Sequence, residues 1–251
     1  MDLRVQGGGP TDPFLGARDL FETERTLREP VTVSIVDDPD ERTRVSHTDD
    51  GHELTISIQA ATSAMARELA LHEFAHMHRH ECGHPSHTQS IEEVIYLALA
   101  GRTVERRKLT HCYQIANHMK DIYADDITLD IGPTDKLVSF LESSLARALA
   151  DSPPSPPEDG RRLRPGADPD ITVVNAAFAL ALLERHDAID ADHRLYDLAS
   201  AAAADAPSVS LSAFKRRFRS LEDDPDESAY RKALVDATRE YVLSDTGQAA
   251  D

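Results

Sequence analysis

Residues 62–79 contain neither proline nor glycine, and Met65, Leu69, His72 and His76 recur within them at spacings of three and four. That period predicts an α-helix with these four side chains along one face. Two imidazoles one helical turn apart can reach a single metal ion, at about 2.0–2.1 Å if the ion is zinc. Glu73 follows the first histidine directly. It lies near such an ion without having to bind it, the position of a general base acting on a metal-bound water. The plainer alternative is that His72 and His76 are polar residues of a half-exposed helix.

The surroundings of this helix suggest its scaffold. Val31–Val36 is β-branched and bounded by Pro30 and an Asp-Pro turn, which predicts a strand. Residues 43–47 and 52–58 flank the turn signal Asp50-Gly51 and read as a hairpin. Gly7-Gly8-Gly9-Pro10 breaks structure, and residues 19–28 could form a short helix. After the motif, residues 81–89 read as a loop. Residues 91–109 read as a helix weakened by Gly101, and 111–127 and 135–150 as further helices. Four prolines in DSPPSPPEDG exclude a helix or an inner strand, so 151–168 is expected to be a linker or long loop. Four amphipathic helices are expected beyond it. The expectation is an α+β fold: a domain over 1–150 with a small antiparallel sheet packed on the motif helix, then a helical region over 169–251.

Composition narrows the partners. The chain has 251 residues, 45 acids against 27 bases and a formal charge of −18. Such a carboxylate excess argues against nucleic acid or an anionic membrane as a partner. With only five lysines, it is the composition expected of a cytoplasmic protein from a salt-accumulating organism. The N-terminal residues have no basic region followed by an apolar run, and no stretch approaches the length of a membrane span. Two cysteines, Cys82 and Cys112, make no disulfide framework.

The sequence His72-Glu73-Phe74-Ala75-His76, closely preceded by a hairpin, resembles the HExxH motif of zincin metallopeptidases. That resemblance implies a zinc-dependent hydrolase of peptide bonds. It also implies an edge strand, residues 52–58, that binds an extended peptide substrate by strand addition. A zinc site needs a third protein ligand. The metzincin pattern requires Gly and His where this chain has Arg79 and Cys82. His80 continues the helical series, but about 12 Å separates it from His72 along the axis. Glu92 and Glu93 are candidates by analogy with gluzincins. So is Asp121, because Asp121-x3-Asp125 resembles the gluzincin ExxxD pattern, with Asp in place of the ligating Glu as aspzincins allow. In that reading Asp125 orients a ligand histidine, and Asn117 lies on the same helical line.

Residues 62–130 are also similar to an uncharacterised zincin-like family of halophilic archaea, through HEFAH, HPSH, YLALAG and the Asn117–Asp126 segment. The expectation is therefore one zinc held by His72, His76 and Asp121, with Glu73 as catalytic base and Asp125 and Asn117 behind the ligands. Tyr113 and Tyr123 lie near the candidate ligands; His118 and Tyr123 are the candidates for an oxyanion donor, and packing is their simpler role. His78, His80, His84 and His87 read as loop polars with a possible substrate or second-metal role. A metal-stabilised binding or regulatory domain without turnover is the alternative reading.

Overall fold

The structure, a computed structural model, describes residues 1–151 and 168–243. By Cα packing the chain forms two compact units. One comprises Met1–Thr88 and Tyr123–Lys136; the other comprises Gln89–Ile122 and the residues from Leu137 on. Residues 89–122 and 137–150 fall within the second of these units. The proline-rich stretch lies, apart from Asp151 and Asp168, outside the described residues.

The first unit is built on a four-stranded sheet of order β1-β2-β4-β3. Strand β2 (Val31–Val36) alternates buried Val31, Val33 and Ile35 with half-buried residues, so one face meets the core. Strand β1 (Leu3–Gly7) pairs with it in parallel. Between them helix α1 (Asp12–Phe21) carries the chain back to its starting end, with Pro13 in the first turn, where its missing N–H costs nothing. Strands β3 (Arg44–Thr48) and β4 (Gly51–Ser57) form the expected hairpin. Gly51 has φ +127°, and a Cβ there would stand 2.3 Å from the Pro30 carbonyl oxygen, so the turn admits only glycine.

Two expectations need correction. The sheet is mixed, not antiparallel, because β2 pairs in parallel with both β1 and β4. A hairpin signal reports only the pair that it joins, and the α1 crossover fixes the sense of β1 and β2. In addition, the segment 52–58 is not an edge strand. The chain leaves β2, lays β3 on the outside and returns through β4 between them, so the antiparallel edge is β3.

Helix α2 (Ile58–Ala61) is a single turn capped by Ser57, whose Oγ accepts from the Ala60 N–H. Helix α3 (Ala66–Glu81) then buries Leu71, Phe74, Ala75 and Met77 against β2, β4 and α1, and Phe21 meets Phe74 edge-on at 6.2 Å. A second single turn, α4 (Pro85–Thr88), occupies part of the expected loop.

Helix α5 (Ile91–Leu99) ends before Gly101, which turns the chain at φ +77°. Helix α6 (Arg106–Ile131) is longer than its polar sequence suggests. Its last turns bury Ala124 and Ile127 in the core of the first unit. Helix α7 (Thr134–Asp151) follows. In the second unit α8 (Pro169–Arg185) is apolar nearly all round, the mark of a central helix. Helices α9 (Arg194–Asp205) and α10 (Leu211–Arg219) pack on it, and α11 (Glu227–Leu243) packs on α5. Among the described residues no helix is long and apolar enough to cross a membrane.

Glu81, at the end of α3, ties the first unit together. Its carboxylate accepts from the backbone N–H groups of Arg28 at 2.8 Å and Glu29 at 3.0 Å, and from His52 Nε2 at 3.0 Å. Burial pushes the carboxyl upward, but these hydrogen bonds outweigh it and hold the pKa below the usual carboxylate range. A carboxyl depressed in the folded state stabilises fully above its unfolded value, near 4.3, and that stabilisation is lost as pH falls through the folded value. Glu81→Gln is therefore expected to lower stability at pH 7 by about 1.5–3 kcal/mol, as for hydrogen bonds to charged groups. In urea unfolding at several pH values the gap should narrow below roughly pH 4. A gap of constant size would contradict this role.

Candidate metal centre

Helix α3 turns Leu71, Phe74 and Ala75 inward, which leaves His72, Glu73 and His76 half-buried along its rim. The 123–131 end of α6 brings Asp125, only 5% exposed, against this rim. His72 Nδ1 donates to Asp125 Oδ1 at 2.6 Å. Asp121 stands one turn before Asp125 on the same unbroken helix. His72, His76 and Asp121 each offer one ligand atom, and the three atoms lie within 4.8 Å of one another. Among the described residues this is the one group of three such donors.

The protons on the rings are assigned from the hydrogen bonds around them, each ring taken as neutral. Asp125 can only accept, so His72 Nδ1 carries its proton and, in the neutral ring, Nε2 has a lone pair. His76 is fixed from the other side, starting at His84. The backbone N–H of Ser86 donates to His84 Nδ1 at 3.3 Å, so that nitrogen is an acceptor. The Ser86 hydroxyl, 2.7 Å from the same atom, must then donate to it. Having spent its proton, Ser86 Oγ accepts from His87 Nδ1 at 2.7 Å. His87 Nε2 is left as an acceptor, so His76 Nδ1 donates to it at 2.7 Å. His76 Nε2 therefore also has a lone pair, and it faces His72 Nε2 at 2.9 Å. These two imidazole nitrogens and the Asp121 carboxylate together form a donor set for one cation. The donor set fits zinc, whose sites take neutral imidazole and carboxylate oxygen.

The remaining candidates are placed as follows. Glu92 and Glu93 are exposed on α5 and border a surface pocket with Tyr96 and Arg102. Asn117 is exposed, and the ring hydrogen bonds of the two histidines run to Asp125 and His87 instead. His118 Nε2 bonds Asn175 Oδ1 at 2.8 Å, its ring stacks on Phe178, and its Nδ1 lies 3.8 Å from Asp121 Oδ2. Tyr123 is fully buried, its ring centroid 4.5 Å from that of His84. Burial pushes the Cys112 thiol up to about 11, so it stays protonated and is a poor ligand.

His78 lies edge-on to Phe21 and near the Cys82 sulfur. His80 stacks flat on His47 at 3.6 Å. His47 in turn lies 2.8 Å from His52 through their Nδ1 atoms. With His52 Nε2–H committed to Glu81, His47 Nδ1–H can donate to His52 Nδ1, and this second pair settles without a cation. Sequence reasoning gave His87 a substrate or second-metal role and missed its hydrogen bond to His76. Its signal was faint: a histidine beyond a Gly-Pro loop, with no helical register linking it to His76.

The model of a family described as "Family of unknown function (DUF5781)" matches residues 1–243, and the chain belongs to that family. No curated protein and no solved structure matches it.

Metal analysis of purified, zinc-equilibrated protein should find about one zinc per chain. Asp121→Ala should abolish tight binding, and Glu93→Ala should leave it unchanged. Asp125→Ala should weaken affinity about 10–100-fold, the usual cost of losing the carboxylate behind a ligand histidine. Loss of zinc from Glu93→Ala with retention by Asp121→Ala would refute this ligand set.

Proposed function

We propose that this member of the family is a zinc-dependent hydrolase of peptide or amide bonds, with a zincin-like site. The observation that carries the reading is the convergence of His72, His76 and Asp121 with a carboxylate, Glu73, beside the first of them on the same helix. His72, His76 and Asp121 would hold the ion. Bound zinc supplies Lewis acidity, bringing a water's pKa towards neutrality and polarising a carbonyl.

The protein's own groups would do the rest. Glu73 precedes His76 by three positions and so neighbours it on the helix surface. It is half-buried, and as a carboxylate it can take a proton from the attacking water and return it to the leaving amine. Asp125 and His87 bond the Nδ1 atoms of the two rings, so that each would bind the ion through Nε2. Strand β3 is the antiparallel edge of the sheet and is mostly exposed. An extended peptide can add as a strand along this edge, the part expected of residues 52–58 before β4 proved to be internal.

The decisive variant is Glu73→Gln. It should keep zinc and lose about 10²–10⁴-fold in peptide hydrolysis, the usual contribution of a general base. Undiminished hydrolysis by Glu73→Gln would remove Glu73 from the chemistry. Zinc-loaded wild type that cleaves nothing in a complex peptide mixture would favour a metal-stabilised binding domain instead.

A further inference from the structure

We infer that His87 is the positioning residue that makes His76 a ligand, and that its orientation is set by a buried relay anchored on a backbone amide. The consequence for metal binding rests on the zinc reading above; the relay itself stands on hydrogen bonds within the first unit. Its members come from α3, which carries His76, from His84 just before α4, and from Ser86 and His87 in α4. His84 and Ser86 are 5% and 2% exposed, and the His84 ring packs on the fully buried Tyr123. Such a setting allows few alternative rotamers.

The direction of the relay is not free. A Ser–His chain can run either way if both ends are open, because hydroxyl and imidazole both donate and accept. Here the Ser86 N–H to His84 Nδ1 bond closes one end, since a backbone amide only donates. Every later bond then has a single polarity, from His76 towards His84. The result at the far end is an Nδ1–H tautomer on His76, the form that leaves Nε2 for a cation. Asp125 imposes the same tautomer on His72 by charge. The two ligand histidines are thus prepared by different means, one by an ionised carboxylate and one by a neutral chain. A neutral partner leaves the ligand ring less electron-rich than a carboxylate does, so the centre gains less negative charge than a second aspartate would confer.

The chemistry of the 87 side chain supplies the test. The Gln amide oxygen can reach the place of imidazole Nε2 and accept from His76 Nδ1, whereas Asn is too short. Zinc affinity is to be measured by competition with a chromophoric chelator in the full chain, alongside histidine side-chain nitrogen NMR of the metal-free protein. We expect His87→Ala and His87→Asn to bind zinc about 10–100-fold more weakly than wild type. His87→Gln should stay within about threefold, a reading of the outer-shell range. A packing role alone would not separate Gln from Asn in this way. In the metal-free spectra His87 should be the Nδ1–H tautomer and His84 the Nε2–H tautomer. Equal zinc affinity for His87→Ala and wild type, or weakening by His87→Gln as large as by His87→Asn, would overturn the inference. So would the opposite tautomer on His87. Failure of wild type to bind zinc would count against the metal reading alone, and the tautomers would still decide the relay.

Discussion

The hydrogen bond from His72 to Asp125 joins the two helices on which the site depends. Asp125 is almost wholly buried, and a buried carboxylate without a partner would cost several kcal/mol. The bond resolves that cost and fixes the His72 ring at once. It also sets the facing of α3 and the last turns of α6, because both helices carry apolar residues into the same core a fraction of a turn away: Leu71 and Phe74 on one, Ala124 and Ile127 on the other. Packing and polar satisfaction therefore select the same helix orientation, the mutual consistency expected of a well-specified structure.

Asp121 inherits its place from that arrangement. On a rigid helix the residue one turn before Asp125 must project from nearly the same face. Once Asp125 reaches the first histidine, Asp121 brings a carboxylate oxygen within 4.8 Å of a ring nitrogen of each histidine. Asp121 therefore groups with the two histidines, and Glu92 and Glu93 do not. Those acids sit on α5, whose apolar residues Val94, Ile95 and Ala98 turn inward and leave both acids exposed.

Much of this was legible in the sequence, and the part that was not has a physical pattern. Helix α3 is readable because periodicity and the absence of breakers are local properties. The Asp121–Asp125 spacing is readable because a helix converts sequence interval directly into geometry. The sense of the sheet was hidden. The hairpin at Asp50-Gly51 determines how β3 meets β4 but says nothing about β2, and β1 is too short and too close to a glycine run to stand out. Asn117, placed on the same helical line as Asp121, is exposed, because at that level of α6 the buried face is made by Cys112, Ile115, Ala116 and Met119. His87 was hidden most deeply, because its partner is fixed by the turn at Gly83 and the short helix α4, a path with no regular period.

The central claim is that three side chains from two helices share one cation. Crystals of the zinc-loaded protein, measured on both sides of the zinc absorption edge, test it most directly. The account predicts a single anomalous peak bounded by His72 Nε2, His76 Nε2 and the Asp121 carboxylate. A peak at His47, His52 and His80 with none at His72 and His76 would contradict it.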